Sequence, residues 1–324
     1  MLWKKQKNAD GAVEFVVSEI GEYSLEDTLE CGQCFRFERI GGEDGAEYIV
    51  VARGIVFDVM QRERGRLVFR GISEREFLEV AVPYFSLDTD FADMRRDILA
   101  RTPSERLRLA ADGASGIAIL RQDAWEALFS FIISQNNNIP RIKKIIRAIA
   151  LEYGENLAES RGLKKCPLSY HRGTPCRENC VNCGMCYSFP RPEDIVARPE
   201  GLLPSHPGFR YRYLRDAAER VASGKTDLSY IGSLEKTDDV ISALEEITGV
   251  GKKVASCVAL FGLWRLDAFP VDVWMRRALS EWFMGELDPD TLGPYRGVAQ
   301  QYIFHYVRNL SGGESPVPTA EKQA

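Results

Sequence analysis

The sequence predicts an α+β protein: an antiparallel sheet from the first third of the chain, packed on a mostly helical remainder. Three observations carry this. Residues 47–53, 54–59 and 66–70 are β-branched or aromatic runs separated by glycine and charged turns, the pattern of a meander. From residue 74 the apolar spacing changes to a helical period, and from Asp123 onward helical spacing dominates. At 324 residues, 45% hydrophobic and 27% charged, the chain has ordinary globular composition and length enough for two domains with their own cores. The expected organisation is an α+β domain at 1–117, a helical domain at 118–310 with a cysteine-rich insertion at about 164–190, and a disordered tail at 311–324.

In chain order, residues 12–20 alternate weakly and read as an edge strand. Ser24 is placed to N-cap a short helix over Leu25 to Glu30. Cys31-Gly32-Gln33-Cys34-Phe35-Arg36-Phe37 is strand-like after its glycine, and the meander follows. Residues 74–112 are helical. Trp125 to Ile133 is apolar almost throughout, as in a buried helix, and Asn136-Asn137-Asn138 interrupts it. Pro140 suits the first turn of the next helix, whose inner face is Ile142, Ile145, Ile146 and Ile149. Helical period returns at 213–223, 236–247, 252–264, 273–284 and 295–310, and no internal repeat is visible.

Charge and composition exclude several classes. No run of 18 apolar residues offers a membrane span. The basic start Met1 to Lys7 lacks the apolar segment of a secretory signal, so a cytoplasmic protein with reduced cysteines is expected. The net charge of −5 and a pI near 5.5 argue, as totals, against a nucleic-acid partner. The distribution argues the other way. Arg141, Lys143, Lys144 and Arg147; Arg210, Arg212 and Arg215; Lys252 and Lys253; and Arg276 and Arg277 form local basic clusters, and only charges within a Debye length of a phosphate act on it strongly.

The chemistry concentrates in two neighbouring segments. Ile247-Thr248-Gly249-Val250-Gly251-Lys252-Lys253 is a Gly-x-Gly turn between helical stretches, similar to a helix-hairpin-helix element. Glycine lets the backbone take positive φ and approach a phosphate closely, and the N–H groups of the next helix complete an anion site. Phe269-Pro270-Val271-Asp272 follows, with Asp272 as an N-cap for the helix beginning at Val273. A fixed carboxylate there can stabilise positive charge on a deoxyribose ring. A lysine is nucleophilic only when neutral, which requires about 3–5 kcal/mol of bias against an ammonium whose reference pKa is about 10.4. A helix N-terminus and a second cation supply bias of that sign. A neutral amine attacking C1′ would displace a base, and the Schiff base formed would permit β-elimination. Composition alone leaves open whether Lys252 or Lys253 attacks, or whether both only contact phosphate.

These segments, with Gly32-Gln33-Cys34-Phe35-Arg36, Leu120-Arg121-Gln122-Asp123, Phe129-Ser130-Phe131-Ile132, Asn136-Asn137-Asn138-Ile139, Gly208 to Tyr213, and Gly293-Pro294-Tyr295 with Ala299-Gln300, resemble the helix-hairpin-helix DNA glycosylase superfamily. More narrowly they resemble 8-oxoguanine DNA glycosylase/AP lyases. The resemblance implies a TBP-like sheet domain packed on a helical glycosylase domain, and bifunctional excision of 8-oxoguanine from duplex DNA by a monomer, nucleoid-associated in a prokaryote. It selects Lys253 as nucleophile and Asp272 as catalytic carboxylate, with Gly249, Gly251 and Lys252 on the DNA. It places Gly32, Cys257, Gln300 and Phe304 around the flipped base. The Gly32 carbonyl would accept from N7–H, a donor that oxidised guanine has and guanine lacks. Asn136 would fill the vacated stack, Phe209 would wedge the opposite strand, and Arg141 and Arg210 would contact the orphaned cytosine. The chain departs from eukaryotic members in carrying Trp274 for histidine and Phe209 for tyrosine. A different oxidised base, or a non-catalytic DNA-binding module, are the competing readings.

Cys176, Cys180, Cys183 and Cys186 lie outside the resemblance. Four thiolates within eleven residues suit a structural zinc site, or an iron–sulfur cluster, while catalysis needs no cofactor. Cys166 is a spare ligand. Cys31 and Cys34 share CxxC spacing but lie in the base-pocket segment. His171, His206 and His305 form no constellation in the sequence.

Overall fold

A computed structural model describes residues 1–41, 45–157 and 184–310. The sheet has six strands: β1 (Leu2–Lys7), β2 (Val13–Ser18), β3 (Phe37–Gly41), β4 (Ala46–Ala52), β5 (Ile55–Gln61) and β6 (Leu67–Arg70), in the order β1-β2-β6-β5-β4-β3, antiparallel throughout. Tyr48 opposes Val59 and Val50 opposes Phe57. The period of two sends these four side chains inward, while Ile49, Val51 and Val56 face the other way, against Leu157, Met185 and Cys186.

Two strand expectations are corrected. Residues 13–18 form an interior strand, and the edge is β1, which the apolar pattern did not signal. Its side chains are almost all exposed, so it is held by the backbone ladder to β2 and by Trp3, whose ring lies 5.3 Å from that of Phe77. Residues 31–36 are not a strand. Gly32 takes φ +90°, and pairing begins only at Phe37.

The helices are α1 (Leu25–Glu30), α2 (Phe91–Arg101), α3 (Glu105–Gly113), α4 (Ala124–Ser134), α5 (Ile139–Tyr153), α6 (Pro192–Ala197), α7 (Tyr211–Ala222), α8 (Leu228–Ser233), α9 (Thr237–Glu245), α10 (Lys252–Phe261), α11 (Val273–Arg277) and α12 (Arg296–Leu310). Residues 74–84 form a shorter helical segment with a π-helical centre. Ser24 caps α1 by accepting from the Asp27 N–H at 3.2 Å. Asp123 caps α4, whose residues 127–133 are all buried. Pro140 sits in the first turn of α5.

One apolar core runs from Phe15 on the sheet to Val307 near the end of α12, where separate cores were expected. The cause is α12, which returns to pack on α2 and α3 and so closes the helical part onto the sheet part. This return positions the site, because one wall comes from the segment after α1 and the other from α12.

Candidate active site

The turn between α9 and α10 is built by exclusion. Gly249 has φ +81°, and a Cβ there would stand 2.3 Å from the ring of Tyr213 on α7. No other residue fits both the conformation and the space. The Thr248 N–H donates to Asp216 on α7 at 2.9 Å, and the Val250 N–H to the Ile247 carbonyl at 2.9 Å. Gly251 is the N-cap of α10 and brings no side chain, so the first-turn N–H groups stay uncapped beside exposed Lys252. Backbone donors and a helix dipole there favour an anion.

Beneath the hairpin, one cleft is lined by Gly32, Lys253, Cys257, Asp272, Gln300 and Phe304, together with Phe131, Phe261 and Pro270. Lys253, in the first turn of α10, lies 5.4 Å from the Phe131 ring centroid. Asp272 caps α11, its Oδ1 accepting from the Met275 N–H at 2.8 Å. That bond fixes the carboxylate facing the cleft. Cys257, one turn beyond Lys253, is buried, and burial pushes its thiol up against the opposing pull of the Lys253 charge. Buried Gln300 accepts from the Gln301 side chain at 2.7 Å. The cleft has a volume of about 50 Å³, well short of the roughly 150 Å³ of a cavity that accepts benzene, so a purine seats fully only if a wall moves. Phe304 is the partly exposed member of the α12 wall.

The surface residues divide. Asn136 is exposed with φ +49°, at the tip of the α4–α5 turn. Arg141 is exposed and makes no ion pair among the described residues. Phe209 is 51% exposed and meets the Tyr213 ring edge-on at 6.0 Å, so this aromatic projection is braced by the ring that floors the hairpin. Arg210 is different. It is buried, donating through Nε to the Gln135 carbonyl at 2.8 Å and through its other nitrogens to the carbonyls of Asn136 at 2.9 Å and Pro207 at 3.2 Å. The guanidinium ties down the Asn136 turn, where the Gln135 and Asn136 carbonyls lie beyond the last turn of α4 and have no helical partner.

A family model described as "8-oxoguanine DNA glycosylase, N-terminal domain" matches residues 16–128. An N-glycosylase/DNA lyase of Saccharomyces cerevisiae is 30% identical over 283 residues, covering 79% of this chain and 67% of its own. The solved MBOgg1, in complex with a low affinity DNA ligand, is 32% identical over 96% of this chain and 99% of its own, with a TM-score of 0.79. The chain belongs to the 8-oxoguanine DNA glycosylase family. Another solved relative, the Clostridium acetobutylicum 8-oxoguanine glycosylase/lyase with double-stranded DNA containing cytosine opposite 8-oxoG, is 31% identical over 95% of this chain and 98% of its own, with a TM-score of 0.77.

Within this 8-oxoguanine glycosylase fold, sequence reasoning left three residues without a role. Tyr213 shapes the hairpin. Gln33, fully buried, donates to the carbonyls of Thr28 and Ala118, both at 2.8 Å, and accepts from the Leu120 N–H at 2.8 Å, anchoring Gly32 to the segment before α4. His305 faces Asp27 across the cleft walls. All three lie inside or beside motif segments, but their contacts span the fold and leave no periodic trace.

Of the four proposed metal ligands, Cys176, Cys180 and Cys183 lie outside the described residues, as does Cys166. Cys186 is buried against the outer face of the sheet. Among the described residues no group of three or more His, Cys, Asp or Glu could hold a metal ion. Cys31 and Cys34 are buried free thiols, and burial pushes Cys31 up to about 12.

Proposed function

We propose that this protein excises 8-oxoguanine from duplex DNA and cleaves the strand at the sugar left behind. The observation that carries the reading is the meeting of a lysine, a fixed carboxylate, a glycine carbonyl segment and an aromatic wall in one cleft under an uncapped hairpin. The Lys253 amine attacks C1′ as the N-glycosidic bond breaks and its electron pair leaves with the base. Asp272 stabilises the positive charge that develops on the sugar and takes the proton that the amine loses. The sugar ring opens to a Schiff base, whose β-elimination removes a 2′ proton and breaks the C3′–O bond. The Gly32 carbonyl selects the oxidised base by accepting from N7–H, and a few kcal/mol of discrimination follow from that one bond and the mismatch with guanine.

Phe304 yields as the base enters, and Cys257 lies across from it as a neutral thiol. The hairpin N–H groups, with Lys252, hold a phosphate. Asn136 fills the space left by the flipped nucleotide, and Phe209 wedges the opposite strand. The lysine route needs no metal. Zinc or iron–sulfur at the cysteine insertion would be structural, and metal analysis of the purified protein tests that reading.

Borohydride trapping on an 8-oxoguanine:cytosine duplex is the deciding experiment. Wild type gives a covalent adduct and Lys253→Gln gives none. Equal trapping by the variant, or faster release of thymine glycol than of 8-oxoguanine, refutes the reading.

A further inference from the structure

Asp27 and His305 join the two walls of the cleft from outside it. Asp27 lies one turn before Cys31 on α1, and its carbonyl accepts from the Cys31 N–H at 3.1 Å. His305 directly follows Phe304 on α12. Its Nε2 stands 3.5 Å from Asp27 Oδ1 and 2.9 Å from the Asn309 side-chain nitrogen. Both side chains are largely covered, at 12% exposure for His305 and 26% for Asp27. The surrounding charges are complementary: Glu26 and Glu30 flank Asp27, Arg308 lies on the α12 side, and Arg64 reaches Asp27 Oδ2 at 3.9 Å. A cavity of about 400 Å³ between these residues shares Cys31 and Phe304 with the base cleft.

An isolated pair of this kind contributes little to stability. Its position gives it another use. A purine does not fit a cleft of about 50 Å³ unless a wall yields, and Phe304, half-buried where Gln300 and Gln301 are buried, is the α12 side chain with room to yield. If the Phe304 side chain swings while the α12 backbone stays, Gln300 keeps its distance from Gly32. If the backbone shifts with it, the base loses one of its two contacts, and a misplacement of about 1 Å can cost about 100-fold in rate.

We propose that Asp27 and His305 are positioning residues that clamp α12 to α1, holding Gln300 and the Phe304 pivot at a fixed spacing from Gly32 as the base enters. Neither touches the base. The inference rests on the base-excision reading above. It also gives a use to His305, which the excision chemistry leaves idle.

The test compares two reactions in the same preparations of His305→Ala, Asp27→Ala and the double variant. One is single-turnover excision from an 8-oxoguanine:cytosine duplex. The other is cleavage at a preformed abasic site, which uses Lys253 and Asp272 but places no base in the cleft, and so reports on folding and chemistry together. Each single variant is expected to lose about tenfold in excision and the double no more, with abasic-site cleavage within about twofold of wild type. Equal losses on both substrates, additive losses in the double variant, or undiminished excision each overturn the proposal. A wild type that cleaves abasic DNA but does not release 8-oxoguanine overturns the base-excision reading instead.

Discussion

The Gln122 side chain donates to the backbone carbonyl of Gln33 at 2.7 Å, and the Gln122 backbone N–H donates to the carbonyl of Phe261 at 3.0 Å. One residue thus connects the segment carrying Gly32 to the C-terminal end of the helix carrying Lys253. The proposed base reader and nucleophile are 221 positions apart in sequence and are held in register by two short hydrogen bonds away from water. Buried amides used this way are costly to remove, because the carbonyls and N–H groups they satisfy have no water to turn to.

Gln33→Leu is therefore expected to destabilise the fold by at least about 2–3 kcal/mol, since it strands the Leu120 N–H and the carbonyls of Thr28 and Ala118. Denaturant unfolding measures this. Surviving folded protein should excise 8-oxoguanine more slowly than it cleaves abasic DNA, as Gly32 loses its anchor. Wild-type stability in this variant would mean that the three bonds contribute nothing.

The hairpin yields a paired prediction. Gly249→Ala forces a methyl into the Tyr213 ring at a φ of +81°, and overpacking of this sort costs about 1–3 kcal/mol. The ring also braces Phe209, so displacing it disturbs at once the two elements proposed to face DNA. Duplex binding, measured by anisotropy, should weaken in Gly249→Ala by about tenfold or more. Tyr213→Ala in the same background should recover only the steric part of the lost stability, because a side chain at position 249 stays strained at a φ of +81°, and it does not restore the brace under Phe209.

The Arg36–Glu126 pair supplies a pH dependence. Its charges lie 3.6 Å apart with side chains 5% and 16% exposed, on the segment leading away from Gly32 and on the first turn of α4. Burial pushes the Glu126 carboxyl up to about 7 from 4.5, against the pull of Arg36. A carboxyl whose folded pKa is raised binds more protons folded than unfolded, so its contribution is complete below about pH 4.5 and is lost as pH rises through about 7. Thermal unfolding between about pH 5 and 8 should show wild type losing stability on the order of 1–3 kcal/mol relative to Glu126→Gln. Parallel pH profiles for the two proteins would contradict the raised carboxyl.

The sequence disclosed what is periodic or local. The meander, the α1 cap at Ser24, Pro140 at the head of α5 and the Gly-x-Gly turn could all be read from residues within a few positions of one another. The β1 edge could not, because its side chains face solvent and its stability comes from the ladder to β2, which no apolar pattern reports. The cleft was half legible. Lys253 and Asp272 stand in adjoining motifs, whereas the return of α12 that brings Gln300 and Phe304 to Gly32 is a tertiary event. Arg210 illustrates the same limit. An arginine beside an aromatic reads as a nucleic-acid contact, and the Gln135 and Asn136 carbonyls it also holds lie 75 and 74 positions away, beyond any local pattern.

That use separates Arg210 from Arg141 experimentally. If the Arg210 guanidinium mainly holds the turn at Asn136, then Arg210→Ala frees the carbonyls of Gln135 and Asn136 and loosens the turn. Binding should then weaken about tenfold on every duplex alike, with a lower melting temperature, because lost charged hydrogen bonds of about 1.5–3 kcal/mol are structural ones. Arg141 is exposed and free of ion pairs among the described residues, so Arg141→Ala should leave the melting temperature unchanged and narrow the preference for cytosine over adenine opposite the lesion. Single-turnover excision from duplexes differing only in the opposite base, run beside thermal melts, distinguishes the two. An Arg210→Ala protein that melts like wild type yet discriminates poorly would assign the base contact to Arg210 and remove the structural role given to it here.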